Sequence, residues 1–321
     1  MRAAPGASSY RLLAVFFGAL LILFPHQAMA EGVALTYDDL PQLGLTDSVD
    51  YARVTNRRLL AGLRRHHMPA IGFVIGDKIE GKGRVARIEI LKAWLNAGQM
   101  LGNHTYQHDA LNDTPMPEYI ASIARTEAAL EPLLAAHRQR ARWFRHPYLE
   151  TGPTEVVRDG VELWLKSHGY RTAPVTLENS DWMFALPYDE ALAKGDTSEA
   201  RRIKQAYIDY TALVVPWYRR AAAALFDRPI PLVFLLHASR INADSVDDLA
   251  GILRRNHLKA TTLTRVTKDP AYRTPDGVAD RDGDEWLSRW SEVLHKDLPW
   301  ESFPEPPADI AAADQRLDPE P

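Results

Sequence analysis

No cysteine occurs anywhere in the 321 residues, which excludes disulfides, thiolate metal sites and lipid attachment through an N-terminal cysteine. Any metal must therefore sit on His, Asp or Glu. Long apolar runs are scarce too, and Leu12–Phe24 falls short of the about 20 residues that a membrane span needs. That run follows Arg2 and Arg11 and precedes Ala28-Met29-Ala30, a small-x-small pattern of the kind signal peptidase accepts. Residues 1–30 are therefore read as a secretory signal, with the mature chain starting near Glu31 and no stable membrane anchor after cleavage. Export without cysteine suits a bacterial periplasm or exterior, where the fold relies on its core alone. Excess basic charge is also missing. The signal holds two Arg and no acid, so 38 basic against 42 acidic residues becomes 36 against 42, a formal charge of −6. That balance argues against nucleic acid as the partner. There is no internal repeat.

What the chain does contain is an alternation of short β-type runs and amphipathic helical stretches. Strands are expected at Val33–Tyr37, Ala70–Ile75, Met100–His104, Arg142–Arg145, Arg171–Thr176, Leu232–His237 and Lys259–Leu263. Helices are expected at Tyr51–His66, Ile88–Ala97, Met116–His137, Glu155–Ser167, Glu199–Phe226 and Ser245–Asn256. The pattern predicts an α/β domain over residues 31–270 with a mostly parallel sheet, either doubly wound or closed as a barrel. Residues 183–228 exceed a normal connection and read as a helical insertion. Within it Tyr207, Tyr210, Val214 and Trp217 fall at helical spacing, as a packing stripe does, and Pro216 is expected to kink or end the helix. Residues 271–321 form a C-terminal extension. Its Asp280, Asp282, Asp284 and Glu285 invite a calcium reading, but Gly283 is out of place for an EF-hand loop, and a solvated turn fits better. Trp286 and Trp290, one helical turn apart, are expected to dock the extension on the domain. The Pro- and Asp-rich end has too little apolar content to fold.

Five stretches fall at or just after predicted strand ends, the edge where functional residues gather in parallel α/β folds. Asp38-Asp39 places two mutually repelling carboxylates side by side; an Asp turn after a strand is the plain structural alternative. In "GNHTYQH", His104 and His108 are spaced so that one helical turn can aim both at one ion. With one carboxylate they make an open site of hydrolytic type, while the second carboxylate stays free as a base toward water. In "FRHPY", Arg145 can hold that base ionised through a bidentate pair, and the Tyr148 N–H is available as an oxyanion donor. "ENSDW" offers Glu178, Asp181 and Trp182. In "FLLHAS", His237 emerges from an apolar run and becomes a general acid if a carboxylate supports it.

Taken in order, Thr36-Tyr37-Asp38-Asp39, His104-Thr105-Tyr106-Gln107-His108, Arg145-His146-Pro147-Tyr148, Glu178-Asn179-Ser180-Asp181-Trp182 and Leu235-Leu236-His237 resemble the motifs of the polysaccharide deacetylases, carbohydrate esterase family 4. The resemblance spans about Val33 to Thr264. It implies a distorted (β/α)7-type barrel and a divalent metal, commonly zinc, with cobalt, nickel and manganese as alternatives. By resemblance, Asp38 is the base, Asp39, His104 and His108 hold the metal, Arg145 tethers Asp38, Tyr148 completes the oxyanion site, Trp182 walls the groove and His237 is the acid. The implied activity is removal of N-acetyl groups from a glycan. An O-acetyl esterase or non-sugar amidase with the same site, or a non-catalytic glycan-binding module, are the rivals. Two departures stand out. Leu40-Pro41 replaces the usual glycine after the aspartate pair, which predicts a differently shaped loop and a narrower entrance. Glu178 stands where an aspartate usually supports the acid histidine, so either Glu178 or Asp181 takes that part.

Overall fold

The apolar runs become a curled parallel sheet whose strand ends all open on one edge. The computed structural model describes residues 31–139, 143–277, 279 and 283–318. The proposed signal and the acidic positions Asp280 and Asp282 lie outside the described residues. The strands are β1 (Glu31–Leu40), β2 (Ala70–Val74), β3 (Met100–Asn103), β4 (Trp143–Phe144), β5 (Arg171–Thr172), β6 (Leu232–His237) and β7 (Leu258–Ala260). They form one seven-stranded sheet in the order β5-β4-β3-β2-β1-β6, with β7 paired to Glu31–Val33 of β1. The ladder is parallel throughout and sets Asp38 opposite His237. Beyond β5 the chain swings round the curl until Leu177 bridges Phe234 of β6. Of the two architectures the alternation allowed, the barrel-like one is formed.

Helices cover the outer face: α1 (Val49–Arg65), α2 (Arg84–Asn96), α3 (Met116–Ala136), α4 (Glu155–Ser167), α5 (Asp181–Ala193), α6 (Thr197–Phe226), α7 (Arg240–Arg255) and the short α8 (Leu263–Val266). Because both sheet faces are covered, β1 from Val33 to Leu40 and β6 from Leu232 to Leu236 are buried without alternation. Trp94 of α2 donates to Asn56 Oδ1 of α1 at 2.7 Å, and Asn56 donates to Pro41 O at 2.7 Å. These buried, fully paired polar groups fasten the turn after β1 to two helices.

The insertion differs from expectation in two ways. It is two helices, and α5 already starts at Asp181. Nor does α6 end at Pro216; it continues to Phe226. An internal proline costs about 3 kcal/mol. Here Tyr207, Tyr210, Val214, Val215, Trp217 and Tyr218 are buried on both sides of it, so packing outweighs the lost hydrogen bond. The extension adds α9 (Trp286–Leu294) and α10 (Ala308–Leu317). Trp286 N–H donates to Val175 O at 2.7 Å, and the Trp290 ring meets Phe226 and Tyr272 edge-on. Within the stretch expected to lack structure, residues 319–321 lie outside the described residues and residues 308–317 form α10. Its low apolar content suffices because Ile310 is fully buried and Arg316 pairs with Glu190 of α5. Among the described residues no helix is long and apolar enough to cross a membrane.

Candidate active site

A regular strand would aim Asp38 and Asp39 to opposite faces. The β1–β2 register slips between Tyr37 and Leu40, and Asp39 takes a left-handed conformation, φ 65°. Both carboxylates therefore reach the same histidine: His104 Nε2 lies 3.8 Å from Asp38 Oδ2 and 3.6 Å from Asp39 Oδ1. His104 follows β3, and its Nδ1 lies 2.8 Å from Arg145 O, which fixes the proton on Nδ1 and leaves the Nε2 lone pair free. His108 Nε2 is 3.5 Å from Asp39 Oδ1. No helical turn presents the pair, contrary to the spacing argument. Residues 104–109 are a loop in which Thr105 and His108 both have positive φ, and the two rings meet edge-on at 4.9 Å.

One ligand atom each from Asp39, His104 and His108 lie within 4.8 Å of one another. Asp39 Oδ1 and Asp38 Oδ1 are buried with no hydrogen-bond partner, an arrangement that is costly unless a cation completes it. Two imidazoles and a carboxylate suit a borderline divalent ion. Protonation agrees. Burial pushes His104 well down, and His108 down as well, which favours the neutral imidazole that a metal ligand needs. Burial acts upward on Asp39, but Lys78 and the nearby histidines outweigh it and hold the carboxyl below its usual range.

Asp38 is raised to about 6 by burial, against the opposing pull of Arg145. The fully buried Arg145 does not make the expected two-pronged pair. Its Nη1 lies 3.3 Å from Asp38 Oδ2, while Nη2 donates to Thr36 Oγ1 at 3.1 Å. Thr36 passes the link on to Phe234 O of β6 at 2.8 Å. His146 points away from Arg145 and meets Tyr119 OH at 3.0 Å.

On the other side of the sheet edge, His237 Nδ1 lies 2.9 Å from Asp181 Oδ1, and its backbone N–H donates to Asp181 Oδ2 at 2.8 Å. The carboxylate beside His237 is thus Asp181. Glu178 turns instead to the Ser180 N–H at 2.9 Å, and burial raises its own pKa. Burial alone would lower His237, but Asp181 overrides it and lifts the imidazole to about 9. Asn242, in the first turn of α7, donates to Asp181 Oδ2 and to His237 O. Its own Oδ1 accepts from Tyr207 OH of α6 at 2.6 Å. Asn242 was not singled out from the sequence, Tyr207 was read only as part of a packing stripe, and Thr36 was named in its motif without a role; amides and hydroxyls carry no local signature of such links.

Tyr148 and Trp182 complete the rim, 49% and 40% exposed respectively. The Tyr148 ring meets His108 edge-on at 4.5 Å. Its backbone is left-handed, φ 55°, and the tight turn around it is closed by the N–H groups of Leu149 and Glu150, not by its own. Leu40 does not narrow the entrance. Its side chain is fully buried, so close to Gly72 that a Cβ there would lie 2.5 Å from it, and Pro41 is buried behind it.

Residues 27–173 match the family model described as polysaccharide deacetylase. Over 150 residues the chain is 27% identical to a peptidoglycan-N-acetylglucosamine deacetylase of Bacillus cereus, covering 47% of this chain and 46% of that one, so it spans about half the length of that relative. Among solved structures, a peptidoglycan N-acetylglucosamine deacetylase superposes with a TM-score of 0.51 at 22% identity, over 73% of this chain and 87% of the other. A family 4 pseudoenzyme from Bacillus anthracis gives 0.51 at 18% identity, over 74% and 65%. Likeness at that level establishes the fold. Since a deacetylase and a pseudoenzyme share it, activity has to be argued from side chains.

Proposed function

We propose, from the match of residues 27–173 to the polysaccharide deacetylase model and from the site geometry, that the chain hydrolyses the acetamide group of an N-acetylated glycan, with peptidoglycan the first substrate to test. The observation that carries this reading is the juxtaposition, across paired β1 and β6, of a carboxylate tuned to about 6 and a histidine tuned to about 9. Near neutral pH the first can take a proton and the second can give one, which amide hydrolysis requires in that order.

Asp39, His104 and His108 would hold the divalent cation. When bound, that ion supplies Lewis acidity that makes water more acidic and a carbonyl more electrophilic. The chain's own residues do the rest. Asp38, oriented by Arg145, accepts the proton of the attacking water. The Tyr148 N–H faces the oxyanion that develops on the acetamide oxygen. His237, held charged by Asp181, protonates the departing amine, and acetate and a free amino sugar are released. Trp182 walls the glycan. The run Leu12–Phe24 with Ala28-Met29-Ala30 supports action outside the cytoplasm, where such glycans lie.

Acetate release from peptidoglycan and chitooligosaccharides by zinc-loaded protein, with chelated protein and Asp38→Asn as controls, tests the reading. Release abolished in both controls is the expected result. A cation that binds stoichiometrically with no release from any acetylated glycan or ester would sink it in favour of a binding module.

A further inference from the structure

The extension after residue 270 lies outside the matched family segment, yet it reaches the turn that carries Tyr148. Three contacts converge there. Arg289 of α9 is almost fully buried and donates from Nη2 to Leu149 O at 2.5 Å and from Nη1 to Thr151 Oγ1 at 2.9 Å. The same guanidinium is held by Asp276 at 3.1 Å, by Asp284 O at 2.9 Å through Nε, and 4.3 Å over the Trp286 ring. Gly283, at φ +76°, lies against the Tyr148 carbonyl so closely that an added Cβ would collide with that oxygen.

The turn needs such support. Tyr148 and Leu149 are consecutive non-glycine residues with φ of 55° and 58°. Left-handed backbone is strained for any residue with a Cβ, and such strain persists only where the surroundings over-determine it. The buried guanidinium at Leu149 O and the glycine against Tyr148 O are what fix both carbonyls of this pair. The Tyr148 N–H shares its peptide plane with Pro147 O, which accepts from Glu150 N–H at 3.1 Å, so the supports at Tyr148 O and Leu149 O reach it by holding the turn that contains this bond.

We infer that the C-terminal extension is a brace for the reaction site, with Arg289 and Gly283 acting as positioning residues that hold the Tyr148–Leu149 turn, and through it the oxyanion donor, in register with the metal pocket. This rests on the deacetylase reading for its kinetic consequence, but not for its structural one. A buried arginine spanning residues 149, 151, 276 and 284 would be an expensive way merely to attach a tail, since burying a charge is costly unless every donor is used. It is economical if the target of those donors is the turn.

The test uses the full chain and two readouts. In Arg289→Ala and Gly283→Ala, hydrogen exchange of the segment 145–152 should quicken by about tenfold or more, while β1 and β3 keep their protection and zinc affinity stays within about threefold of wild type. On a glycan substrate kcat should fall by about 100-fold with KM little changed, the scale expected when a reacting contact shifts by about 1 Å. Guanidinium added to Arg289→Ala should restore part of the rate. Arg289→Lys, which keeps a cation and one donor, provides a milder variant if alanine prevents folding. Unchanged exchange at 145–152, or exchange raised equally over the whole domain, would overturn the brace. Absence of turnover in the wild type would remove the deacetylase reading but leave the exchange result to decide the brace.

Discussion

His104, buried, and His237, partly buried, stand at the same sheet edge, each with an oxygen near its Nδ1, and they end in opposite charge states. At His104 that oxygen is the neutral Arg145 carbonyl at 2.8 Å, and burial then drives the ring to the uncharged form. At His237 it is the Asp181 carboxylate at 2.9 Å, which overcomes burial and keeps the ring charged up to about 9. Burial alone therefore does not decide what a histidine does here. The charge of its second partner separates the two: beside a carbonyl the ring stays neutral and can offer Nε2 to a cation, beside a carboxylate it stays charged and can give a proton.

The comparison breaks most completely on the ligand side. Asp39→Ala should abolish stoichiometric zinc binding and lower turnover by about 1000-fold or more, measured by calorimetry and acetate release. On the acid side, Asp181→Asn gives His237 a neutral partner like that of His104. Its kcat should drop by about 100-fold, within the usual range for a general acid, while zinc affinity is retained. The pH–rate profile sharpens the point. In the wild type, activity should fall below about 6 as Asp38 gains its proton and above about 9 as His237 loses one. A bound cation favours the Asp38 carboxylate, so the acidic limb of loaded protein should lie lower still. In Asp181→Asn the alkaline limb should move down, toward the ordinary imidazole value near about 6.5. Asn242→Ala loosens Asp181 without removing it, and a loss of about tenfold in kcat with the same limbs is expected. Trp182→Ala touches neither histidine and should change only KM, by a few-fold.

All seven strands were legible from their apolar runs, as were the strand-end positions of Asp38, Asp39, His104, Arg145 and His237. These depend on local pattern, and the parallel ladder carries them to one edge. What stayed hidden depends on contacts distant in sequence. The choice between Glu178 and Asp181 turns on a left-handed residue, Ser180, φ 48°, which begins α5 one residue before Asp181. Asn242 and Tyr207 are brought together across 35 residues by packing of α6 against α7. Arg289 and Leu149 are 140 residues apart, and an arginine in a polar tail reads as a surface charge until its burial is seen. Pro216 and α10 misled for a related reason: propensity was outweighed by tertiary packing, on both flanks of the proline and beneath Ile310.

The curl of the sheet also sets an order of assembly. The candidate metal ligands come from Asp39 to His108, within a run of adjacent strands, whereas His237 meets Asp38 only once β6 has paired with β1, a closure that joins Thr36 to Phe234 across 198 residues. Loop closures over longer stretches of chain come later as a rule. On the proposed function, a refolding chain should therefore regain affinity for added zinc before it regains turnover, so acetate release would serve as the clock for the last seam to close.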